Sequence, residues 1–152
     1  RAALSWPEAE VTGMDYWGAV YNYSQAMCES NARSEGVSER CRFLHGDARK
    51  LDFPDETFDA VVSNYVYHNI NGSDKQALLL ESLRVLKKGG VFALNDNMKP
   101  HMYGNMEAFA ENLRKMGYQE VRIIDTAQEA FGSHRRAALM MLGDSRMLAG
   151  RK

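Results

Sequence analysis

Four short sets of residues carry groups that could do chemistry. Asp15 closes the stretch EVTGMD, and its carboxylate could accept hydrogen bonds from both hydroxyls of a ribose. Tyr16 and Trp17 follow, and a ring beside that acid could cover a flat base. A solvated or helix-capping acid and packed aromatics are the plain alternatives. Gly46-Asp47-Ala48 offers a second carboxylate, suited to an exocyclic amine, and the backbone N–H of Ala48, suited to a ring nitrogen. The string SNYVYHNI brings Ser63, Asn64, Tyr65, Tyr67 and His68 within six positions. His68 could take a proton, because an unperturbed imidazole titrates near pH ~6.5. A loop histidine bonded to backbone is the competing reading. Aromatic rings there could attract a cation face-on, and simple packing competes equally. Asp96-Asn97 ends a further apolar run.

These groups matter only if the chain delivers them to one place. Glu10 to Asp15 reads as a strand, and a polar-faced helix is predicted from Trp17 to Ser34 with Gly36 as its stop. Arg40 to His45 alternates and reads as a second strand, closed by Gly46-Asp47. Phe58 to Ser63 is a third, whose near-continuous apolar run predicts burial on both faces. Ser73 with Gln76 forms a capping-box pattern before a helix at Ala77 to Leu86, which Lys87-Lys88-Gly89-Gly90 should end. Val91 to Asn95 is a fourth strand, and Asn105 to Met116 a helix stopped by Gly117. Tyr118 to Ile124 and Arg136 to Leu142 both read as strands, with no full helix between them, which makes them antiparallel neighbours.

Strands alternating with helices predict an α/β fold with a mostly parallel, Rossmann-like sheet that ends in an antiparallel pair. In such sheets ligands sit beyond the carboxyl ends of the strands, where all four sets fall. At 152 residues the chain reads as a single domain, 1–152. Apolar residues at 45% and charged residues at 26% place it among ordinary soluble proteins. A net charge of -1 gives no basic footprint, so no nucleic-acid partner is expected. No apolar run nears the ~18 residues of a membrane span, and a cytoplasmic location is expected. Cys28 and Cys41 form no C-x-x-C pair and predict neither disulfide nor zinc site.

The string GDARKLDFPDETFDAVVSN, Gly46 to Asn64, resembles the central signature of class I S-adenosylmethionine-dependent methyltransferases, especially the branch acting on small molecules and quinone-like acceptors. Upstream VTGMDYW resembles the acidic loop of that family, and downstream LRVLKKGGVFALND resembles its helix-to-strand segment, with Lys88 where many relatives have proline. The resemblance spans Val11 to Leu142. It implies that S-adenosylmethionine is the cofactor, with Asp15 on the ribose, Tyr16 beside it, Asp47 and Ala48 on the adenine, and Ser63 and Asn64 lining the methyl-transfer mouth. Tyr65 and His68 would meet a small-molecule acceptor. No metal is expected: Asp96-Asn97 stands where cation-dependent relatives place ligands, yet Asn64 replaces their further acidic ligand. The lack of an N-P-P-Y tetrad argues against DNA bases as acceptors.

The sequence departs from the family in one respect. The family's first strand ends in a glycine-rich loop, and no G-x-G occurs anywhere in this chain. The family's sheet order, 3-2-1-4-5-7-6, would then lack strand 1, between the strands ending at Asp15 and Ser63. The expectation is closure of that gap, by rearrangement or by a partner chain in a homo-oligomer, or an additional N-terminal segment. Related bacterial proteins with an upstream apolar segment leave a membrane-proximal parent open. A scaffold that kept the fold without catalysis is the main alternative, and a nicotinamide oxidoreductase the third.

Overall fold

The computed structural model describes residues 1–17 and 24–152. The chain divides into two compact units, Arg1–Asp52 and Phe53–Lys152.

The first unit holds helix α1 (Ala2–Ser5), strand β1 (Val11–Asp15), helix α2 (Gln25–Ser34) and strand β2 (Cys41–His45). β1 and β2 run parallel, with Val11 opposite Cys41 and Asp15 opposite His45. Arg40 holds the N-terminal segment to this pair, donating from Nη2 to the Ala3 carbonyl (2.8 Å) and from Nη1 to that of Ala9 (2.9 Å). The Ser24 hydroxyl accepts from the Met27 N–H and caps α2. The predicted helix therefore has an N-terminus at Gln25, and its stretch from 18 to 23 lies outside the described residues.

The second unit contains strand β3 (Phe58–Asn64), helix α3 (Lys75–Arg84), strand β4 (Leu86–Asn97), helices α4 (Pro100–Tyr103) and α5 (Met106–Lys115), strand β5 (Gln119–Asp125), helices α6 (Ala127–Phe131) and α7 (His134–Leu139), and strand β6 (Ser145–Arg151). Its sheet has the order β3-β4-β6-β5. β3 and β4 are parallel, while β6 runs antiparallel to both β4 and β5. Helix α3 packs on β4 and α5 on β5. Leu79, Leu83, Leu86, Leu94, Leu113 and Leu148 are fully enclosed there, and each such side chain contributes about 1.5–3 kcal/mol of burial.

Four details differ from the sequence expectations. β3 is not covered on both faces: Val62, on this edge strand, is 75% exposed. The cap of α3 is Asp74, whose carboxylate accepts from Gln76 N (2.8 Å) and Ala77 N (3.3 Å), so the neighbouring Ser73 is displaced from that role. Lys87 to Gly90 lie inside β4 rather than ending the helix. Phe58 pairs with Leu86 and Ala60 with Val91, so this glycine pair sits in a bulge of β4. A side chain at Gly90 would strike the Leu86 side chain at 2.6 Å and the Asp59 carbonyl at 2.9 Å. Finally, Arg136 to Leu142 is not a strand. Ser133 caps α7 by accepting from Arg136 N, and the following Arg, Ala and Leu residues favour helix. The antiparallel partner of β5 is β6, further on.

Among the described residues no strand ladder joins β1 to β3. β1 and β3 belong to separate sheets and share no ladder, so each presents an edge. Backbone edges need a hydrogen-bonding strand of matching direction, and no described segment supplies one. Among the described residues no helix is long and apolar enough to cross a membrane.

Candidate functional site

The parallel register of β1 and β2 brings their carboxyl ends side by side. Gly46 N donates to the Asp15 carbonyl (3.0 Å), which continues the pairing one residue beyond the strands. A Cβ on Gly46 would meet Met14 Cγ at 2.8 Å and overlap its sulfur, so a larger residue could not make that approach. Asp15 Oδ1 accepts from Trp17 N (2.9 Å), which orients the carboxylate at the strand end. Tyr16 is 60% exposed, with its ring 5.1 Å from the His45 ring.

Asp47 and Ala48 lie in the tight turn that Lys50 N closes onto the Asp47 carbonyl (3.0 Å). The Asp47 carboxylate is engaged by Arg49, which donates from its backbone N to Oδ1 (2.9 Å), from Nε to Oδ2 (2.9 Å) and from Nη2 to Oδ2 (2.6 Å). Those bonds hold the carboxyl below its usual range. Because both side chains reach solvent, water screens the pair and leaves it weak. An incoming amine could replace Arg49 at little cost.

Two carboxylates and an exposed ring at one strand end suit a nucleoside: acceptors for a diol and an amine, and a flat face for a base. The donor set therefore fits the adenosyl part of S-adenosylmethionine. The cleft of about 60 Å³ lined by Glu10, Thr12, Arg40 and Arg42 opens at the opposite strand ends and contains none of these groups.

In the second unit, the carboxyl ends of β3 and β4 and the start of β6 bring Asn64, Tyr65, Asn95 and Ser145 into a connected polar cluster. Tyr65 leaves β3 with φ 55°, a left-handed backbone that a non-glycine residue adopts at a cost of about 1–3 kcal/mol. Its N–H bonds the Asn95 carbonyl (2.9 Å), and its hydroxyl meets Ser145 Oγ (2.5 Å). Ser145 Oγ lies 2.9 Å from Thr126 Oγ1, which donates to Asn95 Oδ1 (2.8 Å). Asn95 Nδ2 in turn donates to Asn64 Oδ1 (2.8 Å).

Tyr67 is buried, and its hydroxyl contacts Ser82 Oγ (2.9 Å). Burial pushes its pKa up, opposed by hydrogen bonding to Ser82 and Ser63. Ser63 thus serves Tyr67, while Asn64 serves the cluster. His68 Nδ1 meets Asp96 Oδ1 at 2.5 Å, and its ring stands edge-on to Tyr65 with centroids 6.3 Å apart.

The sequence singled out Asp15, Tyr16, Asp47 and Ala48, which stand at one strand end in the first unit, and Ser63, Asn64, Tyr65 and His68 at and beyond the end of β3 in the second, where Asn64 and Tyr65 join one hydrogen-bond network, Ser63 bonds Tyr67 and His68 bonds Asp96. It did not single out Ser145 and Thr126, because β6 was placed too early in the chain. Nor did it connect Asp96 with His68, since a separation of 28 positions carries no spacing that announces the contact. Asp96 was visible only as an acid at a strand end. Among the described residues no group of three or more His, Cys, Asp or Glu is arranged for a metal.

Residues 1–94 match the family model described as a methyltransferase domain. A sterol 24-C-methyltransferase of Gibberella zeae is 28% identical over 114 residues, 75% of this chain and 28% of that protein. A demethylmenaquinone methyltransferase of Listeria monocytogenes is 32% identical over 103 residues, 68% of this chain and 40% of that protein. The chain therefore spans well under half the length of these curated relatives. The fold matches geranyl diphosphate C-methyltransferase from Streptomyces coelicolor, with a TM-score of 0.71 at 12% identity over 99% of this chain and 64% of that one. With the family model covering more than half of its residues, the chain belongs to the class I S-adenosylmethionine-dependent methyltransferases.

Proposed function

We propose that the protein transfers a methyl group from S-adenosylmethionine to a small-molecule acceptor, with residues 1–152 serving as one methyltransferase domain. The observation that carries this reading is the meeting of Asp15, exposed Tyr16 and Asp47 at one end of a parallel strand pair. Asp15 would hold the ribose, Tyr16 would flank it, and Asp47 with the Ala48 N–H would take the adenine edge. Ser63 and Asn64 would stand at the transfer mouth, with Tyr65 and His68 toward the acceptor.

When bound, the cofactor supplies a methyl group on a sulfonium, whose departing thioether needs no protonation. The chain's task is therefore orientation and exclusion of water, rather than activation of a leaving group. The names of the curated relatives, a sterol and a demethylmenaquinone methyltransferase, support a small organic acceptor. Calorimetry of S-adenosylmethionine and S-adenosylhomocysteine with the full-length protein tests the reading. Saturable binding of both is expected. Absence of binding by a folded protein would leave a scaffold that kept only the fold.

A further inference from the structure

The end of α7, just before β6, leaves three apolar side chains in water. Leu139 is 85% exposed, Met140 64% and Met141 72%, in consecutive positions. The backbone beneath them is firmly held. Leu142 N donates to the Ala137 carbonyl (2.8 Å) and Met141 N to that of Ala138 (2.9 Å), the two-bond helix ending that normally places glycine where Met141 stands. Met141 has φ 60°, so a methionine occupies a left-handed backbone that disfavours any residue with a side chain. Ala137 is fully buried under the turn, and the Asn97 amide at the end of β4 donates from Nδ2 to the Met141 carbonyl (2.9 Å). The fold thus fixes a strained methionine whose side chain gains little burial within the chain.

Charge is arranged around this tip. Arg135 and Arg136 are exposed and stand four positions before Leu139 and Met140, which puts each one turn behind an apolar side chain on the same side of the helix. Side chains lean toward a helix's start, so the guanidinium groups ring the tip at least ~6 Å behind it. No acidic residue occurs from Phe131 to Gly143. The flanking acids are Asp125, which His134 approaches at 3.4 Å, Glu129, and Asp144, two positions before the exposed Arg146. The carbonyls of Ala137, Ala138, Met141 and Leu142 all accept N–H bonds, so few open polar groups accompany the apolar side chains.

Size and shape select the partner. Three such side chains offer a few hundred Å² at most, well short of the roughly 800 Å² per partner in a stable protein interface. A protruding helix end also lacks the breadth to seat a folded protein. A bilayer surface needs neither breadth nor a matching groove: apolar side chains sink about 5–10 Å into the headgroup boundary while arginines remain among the phosphates. We infer that the end of α7 is a contact site for an anionic lipid surface, with Leu139, Met140 and Met141 entering the acyl boundary and Arg135 and Arg136 on the headgroups. The contact is reversible, since even a single acyl chain anchors a protein only marginally. It involves the second unit alone and stands independently of the methyl-transfer reading.

The test uses the full-length protein with vesicles of phosphatidylcholine, with and without phosphatidylserine. The mixed vesicles should sediment the protein, phosphatidylcholine alone should do so far less, and added salt should release it. Peroxide oxidation read by mass spectrometry locates the contact. Mixed vesicles should slow sulfoxide formation at Met140 and Met141 several-fold, while Met116, exposed near the amino end of β5, reacts as before. A variant carrying Leu139→Ser and Met140→Ser should lose about tenfold or more in vesicle affinity, and Arg135→Ala about fivefold. Met141→Gly should weaken vesicle binding while the urea midpoint stays level or rises, a pairing that a purely structural residue would not give. That substitution carries the test should the double variant not fold. Unchanged affinity in folded variants, equal binding to both kinds of vesicle, or oxidation of Met140 and Met141 indifferent to lipid overturns the proposal. So does a fall in oligomer mass in the double variant with vesicle binding intact, which would assign the tip to a second copy of the chain.

Discussion

Asp15 is held in place by the Trp17 N–H, so its carboxylate is oriented before any ligand arrives. Asp15→Ala should weaken S-adenosylmethionine binding by about 1–3 kcal/mol, the loss of an acceptor for two hydroxyls, while the protein stays folded. Calorimetry on a variant with unchanged circular dichroism checks this, and unaltered affinity would remove Asp15 from the site. Asp47 differs because Arg49 already occupies it. Asp47→Ala should erase discrimination between the natural cofactor and an analogue altered at the adenine amine. Equal loss for both ligands would instead make Asp47 a partner for Arg49 alone. Arg49→Ala should leave that discrimination intact, because it frees the carboxylate without removing it.

At the scale of elements, strand ends proved more legible than element boundaries. β1, β2 and α5 lie where their residue patterns predict, and Asp15, Gly46 and Asn64 stand at or just beyond a strand's carboxyl end. The final hairpin was misplaced because Arg136 to Leu142 alternates weakly, while the Ser133 cap, a local helix signal three residues before Arg136, sets the segment as helix. Lys87 to Gly90 read as a helix stop because two glycines serve equally well in a cap or a bulge. The role of Lys152 was invisible for another reason: it acts across 66 to 69 positions. Its Nζ donates to the carbonyls of Leu83 (2.9 Å), Arg84 (3.2 Å) and Leu86 (2.8 Å), satisfying the end of α3. Lys152→Met should destabilise the second unit by about 1–3 kcal/mol, measurable as a lower urea midpoint with unchanged slope.

Across the molecule, burial is uneven. Among the described residues, Ala3 and Ala32 are the buried apolar residues of the first unit, whereas the large enclosed side chains all belong to the second. A two-stranded ladder without a large core is marginal in water. Amide exchange should therefore show β1 and β2 opening at a free energy several-fold below that of β4, with saturating S-adenosylmethionine raising the protection of β1. Uniform protection across both units would contradict this.

The bulge at Gly89-Gly90 links chain length to chemistry along β4. Between its two flanking pairs β3 advances by two residues and β4 by five, an odd difference that sets the phase of every later side chain on β4. That phase turns Phe92, Leu94 and Asp96 inward, some 20 Å farther along. Asp96 has Asn95 before it and Asn97 behind it. A slip of one residue in either direction would therefore present an amide to His68 in place of the carboxylate, so losing or gaining a single residue at the bulge would act at the far end of the strand as a point substitution.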